Sequence, residues 1–298
     1  INKLLLVVLF PFFEVKDTWH YGQSSLYPAF RCGKDVFYRL LNDFSVPWRK
    51  ISYKLSMQLI GKGKATIKSQ EGNDELPSCL IVDDTDLPKT ERRMELIGKV
   101  FSHVTQKSVL AFKGLFMGYH DGKSFFARDF SLHGEEGKNK KRPYGLSAKQ
   151  LKARYSKRRD KSAPGSKRKQ EYFTTKIDNM VEMARSAIGQ GLRFDYMLVD
   201  SWFTCFALVK FIATRRFGCH LLGMAKMGKT RYLFNGKKLT SKEIIDCLRK
   251  QKKMKRSKQL KCFLSEAMVD FNGIEVKLFF CKTSRKGKWN VLLTTNLE

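Results

Sequence analysis

Acidic residues are scarce in this chain. Only 28 Asp and Glu stand against 58 Lys and Arg in 298 residues, giving a formal net charge of +30 and a sequence pI near 9.9. A surface so short of anions attracts polyanions, of which nucleic acid is the commonest and a phospholipid surface the next. Paired cysteines are lacking as well: the seven cysteines are odd in number, scattered and never spaced C-x-x-C. That excludes a disulfide framework and a zinc site, and points to a reducing cytoplasm. Long apolar runs are also missing. The opening "LLLVVLFPFF" covers residues 4 to 13 only, contains Pro11 and is followed by no cleavage region, so it reads as a core helix and a membrane partner is not expected. His103, His120, His133 and His220 have no metal-ligand spacing, His120 reading as a turn residue, and no internal repeat is evident. Ile1 in place of Met suggests that the true N-terminus precedes it.

What is present is a globular composition. With 42% hydrophobic residues, including 23 Phe, 10 Tyr and 4 Trp, the chain can build a large core, and it is too aromatic for a packaging protein of the ribosomal or chromatin kind. Against the general shortage of acid, the segment "LIVDDTDLPK" at residues 80–89 sets Asp83, Asp84 and Asp86 within four positions after an apolar run. Carboxylates so close repel one another, and a metal ion is the plainest counter-charge.

Residues 1–75 read as a small helical domain. Its segment "KDVFYRLLNDFSVPWRKISYKLSMQLI" has helical spacing broken at "SVP", and the domain ends near the soluble stretch "KSQEGNDELPS". Lys34, Arg39, Arg49, Lys50 and Lys54 either bind DNA or form a basic solvated face. Then strands begin: "CLIVDD", and "FKGLFMGYHDGKSFFARDFSLHG" as a hairpin about "HDG". Between Lys138 and Lys169 there are 14 Lys or Arg and one acid, Asp160. That composition suits a loop laid along a phosphate backbone, or else a solvated linker. A helix up to Gly189 and Gly191, the strand "YMLVD", the helix-like "CFALVKFIATRRFG" and the strand "CHLLGMAK" follow. This order implies a parallel crossover. Beyond Met227 hairpins take over, with Asn272 and Gly273 as a two-residue turn, and "KWNVLLTTNLE" is a last buried strand.

Two strands therefore end in aspartate, "LIVDD" and "YMLVD". Functional residues gather where the strands of a parallel sheet end, so carboxylates at two such ends can converge on one hard cation, and beside a basic surface this suggests metal-assisted phosphoryl chemistry on nucleic acid. "IVDDTDLPK", the hairpin "FKGLFMGYHDGKSFFARDFSLHGEEGKNKK", "FDYMLVDSWFT" and the hairpin-rich stretch leading to "VLLTTN" together resemble, in order and spacing, the bacterial insertion-sequence transposases of the DDE superfamily. The resemblance runs from about Leu80 onward.

It implies a ribonuclease-H-like α/β fold, a mixed sheet flanked by helices, occupying 76–298 with a β-rich insertion at about 227–289. It further implies a DNA transposase that binds the terminal inverted repeats of its element, pairs the double-stranded ends as a homodimer, and cleaves and joins strands with two Mg²⁺ ions, Mn²⁺ substituting. The catalytic and metal-binding acids would be Asp83, with Asp84 in reserve, and Asp200; Asp86 would cap a turn before Pro88. Lys138, Lys140, Lys141, Arg142, Arg154, Lys157, Arg158 and Arg159, with Lys253 and Arg256 from the acid-free block of eight cations between Arg249 and Lys261, would contact DNA. Trp202 and Trp289 would stack an extruded base or simply pack in the core. The family's third acid is a Glu in a Tyr, Arg, Glu, Lys pattern on a helix after the last of these strands. Glu171, Glu182, Glu266 and terminal Glu298 lack that setting, so the chain is expected to carry two of three acids. Two alternatives stand beside this. A catalytically dead remnant would bind DNA only. An aspartyl phosphatase of the haloacid dehalogenase type needs Thr or Val where Pro88 stands, and leaves the basic surface unexplained.

Overall fold

The computed structural model describes residues 2–68, 76–90, 93–214 and 217–298, so most of the expected linker "KSQEGNDELPS" and the arginine pair of "CFALVKFIATRRFG" lie outside the described residues. The chain opens with α1 (Asn2–Leu9), then α2 (Lys34–Asn42) and α3 (Trp48–Lys68). Helix α2 carries Asp35 in its first turn and Arg39 in its last, each opposing the helix dipole. Leu6, Phe10, Val15, Tyr21, Leu26 and Phe37 form a small core of their own, with the rings of Tyr21 and Phe37 edge to face at 4.8 Å.

Next come β1 (Cys79–Pro88), β2 (Gly98–Ser102), β3 (Lys107–His120) and β4 (Phe125–His133). Helices α4 (Ala148–Ala153), α5 (Pro164–Glu171) and α6 (Lys176–Gly189) lead to β5 (Tyr196–Val199), α7 (Phe206–Thr214) and β6 (His220–Ala225). The remainder is β7 (Arg231–Phe234), β8 (Lys237–Thr240), α8 (Ser241–Lys250), β9 (Lys255–Ser257), β10 (Cys262–Asp270), β11 (Glu275–Lys282) and β12 (Asn290–Thr294).

All twelve described strands join one sheet in the order β2-β3-β1-β5-β6-β12-β11-β10-β7-β8, with β4 added to β3 and β9 to β10. Strands β1, β5 and β6 run parallel; the other pairings are antiparallel. An antiparallel hairpin feeding a parallel strand, helix, strand unit is the ribonuclease-H-like α/β arrangement that the resemblance implies. Beyond β6 the hairpins continue the same sheet. Asn235 with Gly236, and Asn272 with Gly273, take positive φ at all four positions, the backbone that a two-residue turn of matching twist requires.

Burial follows the pleat. Leu80 and Val82, Leu115 and Met117, Met197 and Val199, Leu221, Leu293, Leu278 and Val269 share one face and are buried against α6, α7 and α8. The alternate residues form the opposite face, where Phe116, Phe125, Phe130, Met224 and Met268 are exposed.

The segment 138–169 departs from the expected open loop. Ser147 and Gln150 close a capping box on α4, and Pro164 starts α5. The Arg154 guanidinium donates to the carbonyls of Leu96 and Ile97 (3.1 Å each) and to the Tyr172 hydroxyl, and lies 3.8 Å from the Tyr144 ring centroid. Arg159 forms a forked pair with Glu95, whose Oε1 also accepts the Lys157 amide. The segment has one acid of its own, but it borrows Glu95 from outside and buries Leu146. Composition counted within the segment could not include Glu95.

Candidate active site

The three clustered aspartates are not equivalent. Strand β1 does not end at Asp83 but runs on through Pro88, so successive side chains alternate between faces. Asp84, paired with buried Leu115, lies on the covered face, and its Oδ2 accepts from Lys176 Nζ at 2.5 Å. Asp86 pairs with Lys113, on the same face, at 2.5 Å. It is a strand residue and not the turn cap expected. Burial pushes its carboxyl upward, but hydrogen bonds from Lys113 and Ser102 outweigh that and hold it below the ordinary value. Asp83 lies on the open face and is exposed; its Oδ1 accepts the amide of Asp84 at 2.8 Å. Two lysines thus neutralise two of the acids and leave the third to solvent.

Asp200 stands one residue beyond β5. Because Val82 pairs with Val199, Asp83 and Asp200 occupy the next register step on adjacent parallel strands, roughly 5 Å apart by ordinary strand spacing. Asp200 Oδ1 accepts the amides of Trp202 (2.8 Å) and Phe203 (3.1 Å), which fixes the orientation of an exposed carboxylate. Thr204 closes the turn by donating its amide and hydroxyl to the Asp200 carbonyl. Gly223 of β6 approaches so closely that a Cβ there would stand 2.3 Å from Thr204 Oγ1. The turn is therefore held by packing as well as hydrogen bonds.

Hard carboxylate oxygens suit Mg²⁺, which usually takes one or two carboxylates and completes its shell with water and phosphate oxygens. Two exposed carboxylates at one register step fit that need. Among the described residues no group of three or more His, Cys, Asp or Glu could hold a metal. Glu171 on α5 is held by Arg49 and Arg168, Glu182 pairs with Arg185 on α6, and Glu266 lies on β10 paired in register with Phe279.

Trp202 is half exposed, with Lys176 Nζ 5.2 Å and Lys226 Nζ 5.0 Å from its ring. Neither lysine stood out in the sequence, since both belong to elements distant from Asp200 in the chain. An exposed cation–π contact contributes about 0.5–1 kcal/mol. Stacking a nucleobase on an aromatic ring contributes about 1–3 kcal/mol, enough to displace an ammonium from the ring. Trp289 is instead partly buried against the core, with Lys282 Nζ 4.7 Å from its ring.

Of the basic residues singled out by sequence, Lys138, Lys140, Lys141, Arg142, Lys157, Arg158, Lys253 and Arg256 are exposed, whereas Arg154 and Arg159 are engaged as described. Lys253 and Arg256 line a cavity of about 870 Å³ together with Lys255, Met268, Lys277 and Phe279. Arg49 is not a free surface cation: it pairs with buried Asp129 at 2.9 Å and with Glu171. No helix among the described residues is long and apolar enough to cross a membrane.

No protein-family model and no curated protein matches the chain. Among solved structures, the piggyBac transposase synaptic complex with hairpin DNA, seen by cryo-electron microscopy, aligns with it at 15% identity and a TM-score of 0.40. The alignment covers 90% of this chain and 44% of that one.

Proposed function

We propose that this chain is a DNA-processing enzyme of the transposase kind, cutting and joining strands at the ends of an insertion sequence through Asp83 and Asp200. The observation that carries the reading is the pairing of Val82 with Val199, which sets two exposed carboxylates side by side in a protein of net charge +30. Bound divalent ions, Mg²⁺ or Mn²⁺, would supply charge neutralisation at a phosphodiester. Asp83 and Asp200 would hold them. The chain's own groups do the rest: the amides of Trp202 and Phe203 orient the Asp200 carboxylate, and Lys176 and Lys113 keep the neighbouring acids from competing. The exposed cations between Lys138 and Arg158, with Lys253 and Arg256, draw the double-stranded DNA, and a second copy would pair the two ends.

The test is Mg²⁺-dependent nicking of a duplex carrying the element end. Asp83→Asn and Asp200→Asn are each expected to lower cleavage at least a thousandfold while duplex affinity holds or rises. Retained cleavage would remove both residues from the reaction. A second reading, DNA binding without cleavage, is favoured by the engagement of Glu171 and Glu182 in ion pairs away from the two aspartates. It predicts tight duplex binding and no nicking by the unmodified chain with either metal.

A further inference from the structure

We infer that the gap between β9 and β7 along β10 is a docking groove for an extended acidic peptide of a partner protein, which adds there as a short strand. Strand β10 is paired unevenly. It meets β11 from Phe263 to Asp270, but on its other edge β9 covers only residues 262–264 and β7 meets it only at Asp270. Among the described residues no strand pairs with residues 265–269 on that edge. A strand edge without a ladder partner is a template for another chain. Both ends of the gap are fixed, one by the pairing of Asp270 with Leu233, the other by Ser265 Oγ, which donates to the Lys253 carbonyl at 2.8 Å.

The cavity of about 870 Å³ opens at this edge, since Ser265, Glu266, Ala267 and Met268 all line it. Leu264, Met268 and Phe279 give it apolar walls, and Met268 is exposed. Lys253, Lys255 and Arg256 stand exposed around it against one lining acid, Glu266. Lysines at a sheet edge keep other copies away, and here the cations repel a second copy of a chain with a net charge of +30. The same cations attract an anion. Duplex phosphates can rest on them, but a duplex cannot fill an apolar cavity or pair with a strand edge. A peptide carrying both acids and apolar side chains engages the cations, the cavity and the free backbone together. The groove also lies apart from the two aspartates, because β10 is four places from β5 in the sheet order.

The experiment titrates the full chain into a fluorescein-labelled peptide of about eight residues, a common strand length, with Glu alternating with Val and both ends blocked, and reads anisotropy. The unmodified chain should bind it saturably, and should not bind the same peptide with Lys for Glu. Met268→Glu should weaken binding at least about tenfold. Lys253→Glu combined with Lys255→Glu should lose the acidic peptide and gain the lysine one, which also shows that the variant folds. An added strand turns alternate amides toward its neighbour. N-methylation of the Glu residues or of the Val residues should therefore abolish binding, and the other set should leave it within a few-fold. No saturable binding by the unmodified chain, or the same response to both methylated peptides, overturns the inference. So does displacement by oligothymidylate of equal charge and concentration, which would make the groove a site for any polyanion. None of these outcomes touches the DNA-processing reading, whose readout is nicking.

Discussion

At the scale of single residues, the contrast between Asp83 and Asp84 can be separated by experiment. Asp84 is in an ion pair that is about four-fifths buried on both sides. Asp84→Asn leaves Lys176 without its counter-charge and should lower stability by about 1–2 kcal/mol while leaving the proposed nicking activity within a few-fold of the parent. Asp83→Asn should do the reverse, abolishing nicking with almost no change in melting temperature. Paired thermal melts and nicking assays read both effects.

His133 gives a second residue-scale expectation. It is 3% exposed, accepts from Ser131 Oγ (2.8 Å) and Asn179 Nδ2 (3.3 Å) at Nε2, and donates from Nδ1 to the Thr174 carbonyl. Burial, with a smaller push from Lys176, takes its pKa from 6.5 down to about 4. The folded imidazole is thus neutral where the unfolded one protonates. As pH falls from 6.5 toward 4, the unfolded chain binds the proton first and stability drops, by on the order of 3 kcal/mol in all. His133→Gln should flatten this part of the curve, read by urea denaturation at a series of pH values. An unchanged slope would show that other groups set it.

At the scale of elements, the long helix α3 is fastened to the sheet by charge. Arg49 donates to Asp129 and Glu171, Tyr53 OH donates to Asp129, and Arg128, the extra residue at a bulge in β4, donates to the Tyr53 carbonyl and Ser56. Arg168 stands 3.7 Å from Asp129 as a second counter-charge. Removing Arg49 leaves a carboxylate with 2% side-chain exposure short of its main partner. Arg49→Met should therefore cost about 3 kcal/mol, and Asp129→Asn in the same chain should recover part of it, which a double-mutant cycle measures.

This network was not legible in the sequence. Its members are 80 and 122 positions apart, and Arg49 looks like any other cation on a basic helix. Periodicity and turn chemistry act locally, so they revealed the β10–β11 hairpin, the β5–α7–β6 crossover and the apolar strand before Asp200. Long-range neutralisation does not act locally. For the same reason the division of labour among Asp83, Asp84 and Asp86 was not legible, since it depends on Lys113 and Lys176, which no spacing rule connects to them.

At the scale of the whole molecule, charge distribution would decide how the protein meets DNA under the proposed function. The net charge of +30 is a bulk property, but the pairs formed by Arg49, Arg159, Lys113 and Lys176 withdraw those cations from the surface. The exposed cations Lys138, Lys140, Lys141 and Arg142 precede α4 as a compact group, while Lys253 and Arg256 lie on the far arm of the sheet beside β10. If both groups touch one duplex, counterion release makes affinity fall about 10³–10⁵-fold between 50 and 200 mM salt for six to ten phosphate contacts. Replacing the first group by Gln should reduce the log–log salt slope by about 3–4, and replacing Lys253 and Arg256 by about 2, the two adding when combined because the patches share no partner. A slope unmoved by the second pair would confine the duplex to the α4 side, so that titrating affinity against salt for the three variants maps the path of the DNA across the protein.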